Sequence, residues 1–183
     1  NKKIKQFSDY KLGETIQQIP KIKVITVCRL VRQKNLLEFL KIAKLLPNLD
    51  FIIIGQGELW NEINDFIHTE KIYNVFLKGS MKNVYKSLYK ADIYLSTSLY
   101  EGLPISILEA MSIGLPVIAS NVIGNSDTII NGDSGFFYDL KNTEMAAKFI
   151  KILSNDFYLR RTMGKNAFER QREFFSLSKM INS

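Results

Sequence analysis

The sequence predicts an α/β protein with a Rossmann-like, doubly wound parallel sheet, and three observations carry that expectation. Short β-branched or apolar runs recur, as in Lys23-Val-Ile-Thr-Val-Cys28, Phe51-Ile-Ile-Ile54 and Leu115-Pro-Val-Ile-Ala119, the form taken by strands buried on both faces. Segments with apolar residues three and four apart lie between them and read as helices. Polar and glycine residues follow the runs at Arg29, Gly55, Gly79, 98–102 and 120–124, which puts them at the carboxyl edge of a parallel sheet, where ligands bind.

Residues 1–20 read as a connecting segment, with Ile4, Phe7, Leu12 and Ile16 on a loose apolar face before Pro20, and 21–183 read as one domain. The first strand is Lys23–Cys28. A helix starts at about Asn35, carries Leu36, Leu37, Leu40, Ala43 and Leu46, and stops at Pro47-Asn48. The strand Phe51–Ile54 ends in Gly55-Gln-Gly57 and is followed by a helix over Glu58–Ile67. Next come a strand at Val75–Leu77, a helix over Lys82–Tyr89, a strand at Ile93–Ser96, and a helix opened by Pro104, a residue suited to the first helical position. The strand Leu115–Ala119, a helical turn near Asp127–Ile130, a strand Gly135–Tyr138 and terminal helices complete the order.

Composition excludes several classes. With 46% hydrophobic and 23% charged residues, the chain can build a core and is not disordered. No apolar run reaches the ~18 to 20 residues of a membrane span, and the lysine-rich start lacks a signal-peptide core, so a cytoplasmic setting is expected. The one cysteine, Cys28, cannot form an internal disulfide, suggests no zinc site and is expected buried in a strand. His68 reads as a surface residue. The net charge of +7 is concentrated early: residues 1–50 hold eleven Lys or Arg against four acids, and the remainder fourteen of each. That suits solvated helix faces, or contact with nucleic acid, an anionic membrane or a phosphorylated ligand.

The candidate chemistry centres on Glu101-Gly-Leu-Pro-Ile-Ser-Ile-Leu-Glu109. Helical side chains lean toward the N-terminus, so Glu109 would tilt back toward Glu101 and both would border one pocket floored by first-turn N–H groups. An acidic rim over an electropositive floor suits a sugar phosphate. Ile105, Ile107, Leu108, Ala110, Met111 and Ile113 surround Glu109, which predicts a buried carboxylate needing either an Arg or Lys partner or a ligand diol. Glu101, in a loop, could be merely exposed. Arg29 and Lys34 follow the first strand and could neutralise a diphosphate, or form an exposed basic loop. Gly55-Gln56-Gly57 is no dinucleotide fingerprint, because Trp60 stands where the third glycine belongs; its glycines suit a tight turn approaching a ligand.

Together, Arg29-Leu-x-x-x-Lys34-Asn35, Gly55-Gln-Gly-Glu-Leu59, Ala91-Asp-Ile-Tyr-Leu-Ser-Thr-Ser-Leu-Tyr-Glu-Gly-Leu-Pro104 running into Glu109, Glu109-Ala-Met-Ser-Ile-Gly-Leu-Pro-Val-Ile-Ala119 and Asn131-Gly-Asp-Ser-Gly135 resemble the C-terminal, donor-binding domain of retaining group 1 glycosyltransferases with the GT-B fold. The resemblance spans nearly the whole chain and implies a nucleotide-sugar-binding domain over 21–183. It implies that Arg29 and Lys34 bind the diphosphate and stabilise the leaving group, that Glu109 holds the ribose hydroxyls, and that Glu101 contacts the donor sugar. It further implies that the backbone of Gly102, Leu103, Pro104, Ile105 and Ser106 meets sugar and phosphates, that Gly55 and Gly57 belong to the donor site, and that Lys78 and Gly79 lie near the base. No metal and no cofactor are implied, the substrate being a UDP- or GDP-linked sugar that leaves from the front face with retention. Cys28 departs from the family, which often has glycine there, and the N-terminal acceptor-binding lobe is expected to be missing.

The expected function is therefore the donor-binding half of a bacterial hexosyltransferase acting on a glycan or lipid-linked acceptor, as in capsule or lipopolysaccharide synthesis. Its expected partners are the nucleotide sugar, the other lobe and, peripherally, the anionic inner face of the membrane. One rival is the lobe of a nucleotide-sugar epimerase. The other is a basic module for nucleic acid or lipid, which an absence of basic residues interleaved with aromatics disfavours, so no nucleic acid is expected.

Overall fold

A computed structural model describes residues 21–175, so the expected connecting segment 1–20 lies outside the described residues. The β-branched runs form β1 (Lys23–Val27), β2 (Asp50–Ile54), β3 (Val75–Lys78), β4 (Ile93–Ser96), β5 (Val117–Ser120) and β6 (Gly135–Tyr138). All pair in parallel, in the order β3-β2-β1-β4-β5-β6. The helices are α1 (Leu36–Leu45), α2 (Trp60–Thr69), α3 (Tyr85–Leu88), α4 (Ile105–Met111), α5 (Asn125–Thr128), α6 (Thr143–Asn155) and α7 (Phe157–Phe174). None in the described residues is long and apolar enough to cross a membrane.

Strand side chains alternate between two apolar layers. Val24, Phe51, Ile53, Ile93 and Leu95 pack under α1, α2 and α6, with Phe39 edge-on to Phe51 at 5.6 Å. Ile25, Ile54, Tyr94, Val117 and Ala119 pack on the other side with Leu88 of α3, Ile107 of α4 and Ala167 of α7. Strands run away from β1 in both directions, so the loops leaving β1 and β4 diverge to opposite faces. The crevice this opens at their carboxyl ends is the usual ligand position of such sheets.

Several boundaries differ from expectation. Asn35 precedes α1 in the left-handed region at φ 47° instead of starting it, and Pro104 (φ −79°, ψ 78°) caps α4 instead of forming its first turn. α3 is shorter than Lys82–Tyr89 because the Asn83 side chain accepts the Tyr85 N–H at 3.1 Å, closing a turn in which the helix starts late. Cys28 lies just past β1 and is half-buried instead of being a buried strand residue. His68 is exposed near the end of α2.

Candidate functional site

The loop after β1 is built on Leu30, fully buried, whose N–H donates to Gln56 O at 2.9 Å while its carbonyl accepts from Leu59 N at 3.0 Å. The Cys28 N–H donates to Ile54 O at 3.0 Å. This closeness explains the glycines of the 55–57 turn: at Gly55 (φ 146°) a Cβ would stand 1.8 Å from the Cys28 carbonyl oxygen. The backbone that these glycines approach is the chain's own. Arg29 is left exposed at the rim, and a 3₁₀ turn over Arg32–Lys34 carries Lys34 toward β4.

There the two loops lock together. Lys34 Nζ lies 2.5 Å from Glu101 Oε1, and the Ser98 hydroxyl donates to the same oxygen at 2.6 Å. Gln33 Nε2 donates to Tyr100 O at 2.9 Å, Leu99 N to Gln33 O at 2.8 Å, and Thr97 Oγ1 to Lys34 O at 2.9 Å. Beneath them, Ser120 Oγ donates to Ser98 O at 2.6 Å and Asn125 Nδ2 to Ser120 O at 3.0 Å, tying in β5 and α5. The Glu101 side chain is only 7% exposed and that of Lys34 16%. Glu101 is thus the buried carboxylate, and the loop position that could have been merely exposed is the best anchored.

Glu109 shows the reverse. It is half-buried, and desolvation raises its pKa above the ordinary carboxylate value. Among the described residues no Lys or Arg pairs with it, and being half-buried it is not the buried carboxylate whose partner the sequence demanded. Its position follows from Ser106, one turn earlier on the same face of α4. Ser106 lies against the hydroxyl of buried Tyr94, which donates to Val27 O at 3.2 Å, so this face of α4 meets the end of β1 just before Arg29. Burial holds the Tyr94 phenol well above its usual range.

The structure thus joins Lys34 to Glu101 at the ends of β1 and β4, sets Ser106 against Tyr94 near the end of β1, leaves Arg29 exposed just after that strand, and places Glu109 one turn along α4 from Ser106. Gly102, Leu103 and Ile105 are exposed beside them, and Pro104 is buried. Lys78 and Gly79 sit farther along the edge at the end of β3; Gly79 neighbours Gln56, while the Lys78 ammonium lies 6.0 Å over the Phe76 ring. Sequence reasoning put Ser98 on the ligand edge without giving it a role, and missed Gln33, Thr97 and Tyr94. The hydroxyls ending a wholly buried β4 were the available signal, since buried hydroxyls need partners. Cys28 borders the Lys34–Glu101 pair. Burial pushes its thiol up to about 11, against the lowering effect of Lys34, with Glu101 adding to the rise.

The family model for Glycosyl transferases group 1 matches residues 14–170. The chain is 32% identical over 164 residues to the UDP-Gal:alpha-D-GlcNAc-diphosphoundecaprenol alpha-1,3-galactosyltransferase of Escherichia coli, covering 85% of this chain and 42% of that protein's length. A crystal structure of a variant of Staphylococcus aureus TarM in complex with fondaparinux, alpha-GlcNAc-glycerol and UDP superposes with a TM-score of 0.83 at 30% identity, over 88% of this chain and 35% of the other. The C-terminal domain of the group 1 family protein LpcC from Francisella tularensis is like it in fold, with a TM-score of 0.73 at 21% identity over 87% of this chain and 89% of that one.

Proposed function

Because the chain belongs to the group 1 glycosyltransferases and folds as the Rossmann-like lobe of a GT-B enzyme, we propose that it is the donor-binding half of a retaining enzyme. It takes a sugar from a nucleotide diphosphate sugar to a glycan or lipid-linked acceptor of the bacterial cell surface. The similarity to the E. coli galactosyltransferase supports the acceptor class, and UDP in the TarM complex supports the donor class. The observation that carries the reading is the Lys34–Glu101 pair held by Ser98 in the crevice between β1 and β4.

A cation fixed in a low-dielectric site before substrate arrives needs little reorganisation when charge develops. In the proposed complex a phosphate oxygen takes the place of Glu101 at Lys34, Arg29 grips the diphosphate from the rim, and the freed Glu101 oxygen accepts a sugar hydroxyl. Both cations then stabilise the departing diphosphate. Glu109, with no cation paired to it among the described residues, accepts the ribose hydroxyls. Calorimetry with UDP- and GDP-linked sugars tests this. Arg29→Ala and Glu109→Ala should each weaken binding by about tenfold or more, the effect of losing a hydrogen bond to a charged group. Undiminished affinity in both variants would refute the assignment.

A further inference from the structure

Away from that crevice, lysines and aromatics do alternate, contrary to the sequence expectation. Residues 71–91 hold five lysines, no acidic residue and four Tyr or Phe. The fold turns this stretch toward solvent. Among the described residues β3 is an edge strand, pairing only with β2. Val75 and Leu77 pack into the layer under α1, α2 and α6, so Phe76 and Lys78 point to the opposite side, the side that carries α3. On α3 and the residues flanking it, Val84 and Leu88 face inward, leaving Tyr85, Lys86, Tyr89 and Lys90 outward. Tyr89 is 71% exposed and opens onto a groove of about 370 Å³ that Arg161 and Lys165 of α7 also line. One flank of the domain therefore presents exposed rings among cations.

We propose that this flank, from the β3 edge across α3 to α7, docks on a bilayer surface rich in anionic phospholipid. The proposal is independent of the donor site. A bilayer offers a plane of phosphates that demands no register, which suits lysines on flexible stems, each adding about fivefold to the affinity for an anionic surface. Tyrosine rings settle at headgroup depth, where their apolar body and polar tip are both accommodated. A second copy of the chain would bring like charges together. Nucleic acid would call for several arginine forks, whereas the stretch 71–91 contributes lysines alone and the adjoining groove adds Arg161 and Lys165.

Flotation of the 183-residue chain with phosphatidylcholine vesicles containing about 30% phosphatidylglycerol, at about 0.1 M salt, tests the proposal. The wild-type chain should bind these vesicles and not pure phosphatidylcholine. Lys86→Glu/Lys90→Glu should weaken binding by at least about 25-fold, and Tyr85→Ser/Tyr89→Ser severalfold. Lys148→Glu/Lys151→Glu, an equal charge change on the opposite face, should leave most of it. Equal losses in the two lysine pairs, no preference for the anionic vesicles, or displacement from them by a DNA duplex would each overturn the proposal. Nucleotide-sugar calorimetry on the Lys86→Glu/Lys90→Glu chain, expected unchanged, separates this outcome from failure of the donor-site reading.

Discussion

Lys34 and Glu101 form a shielded ion pair, and Cys28 beside them can report it. The thiol is pushed up to about 11 chiefly by burial, with Lys34 pulling down and Glu101 pushing up. Glu101→Gln should therefore lower the thiol pKa and speed alkylation by iodoacetamide at mildly alkaline pH, because the thiolate is the nucleophile. Lys34→Ala should slow it. Mass spectrometry of the time course measures both, and identical rates in all three proteins would remove the coupling. The two glutamates were legible in the sequence as a pair, but with burial interchanged. Helical periodicity placed Glu109 among apolar residues but overstated its burial, since Glu109 is half-buried and Ile105 exposed. Nothing local could foretell those of Glu101, whose cover comes from Gln33 and Lys34, more than sixty positions earlier.

The loop that presents Glu101 depends on an element the sequence marked only as a turn. Gly124 has φ 88°, and a Cβ there would stand 2.5 Å from Gly102 O and 2.6 Å from Glu101 O. Since the left-handed region itself costs a residue with a Cβ about 1–2 kcal/mol, Gly124→Ala should lower the melting temperature by several degrees and weaken donor binding by shifting the 98–102 loop. Gly102→Ala, which meets nothing within 4 Å, should melt like wild type. Scanning calorimetry compares them; equal melting of the two variants would mean that the loop does not lean on Gly124. Strands were read to within a residue except β5, expected from Leu115 and starting at Val117, because β-branched runs are short and bounded by turn chemistry. Helix starts were read less well at α3 and α4, where Asn83 and Pro104 divert the chain before the first helical hydrogen bond can form.

Alternation of strand and helix made the parallel sheet legible, yet the order β3-β2-β1-β4-β5-β6 is carried by contacts between runs that look equally apolar. That order has a functional consequence, since it makes β1 and β4 neighbours whose loops part to opposite faces and are rejoined by Lys34, Gln33 and Thr97. A diphosphate bound across this seam would tie the two halves of the sheet together and stabilise the folded chain by mass action. UDP at about a hundred times its Kd contributes about 2.7 kcal/mol, which for a chain of this length raises the melting temperature by about 5–10 °C. Lys34→Ala should abolish the rise, and should itself melt earlier by the equivalent of about 2–3 kcal/mol, because it leaves the Glu101 carboxylate buried with its ionic partner gone. Thermal melts with and without UDP decide it: an equal ligand-induced rise in wild type and Lys34→Ala would place the diphosphate somewhere other than the crevice between β1 and β4.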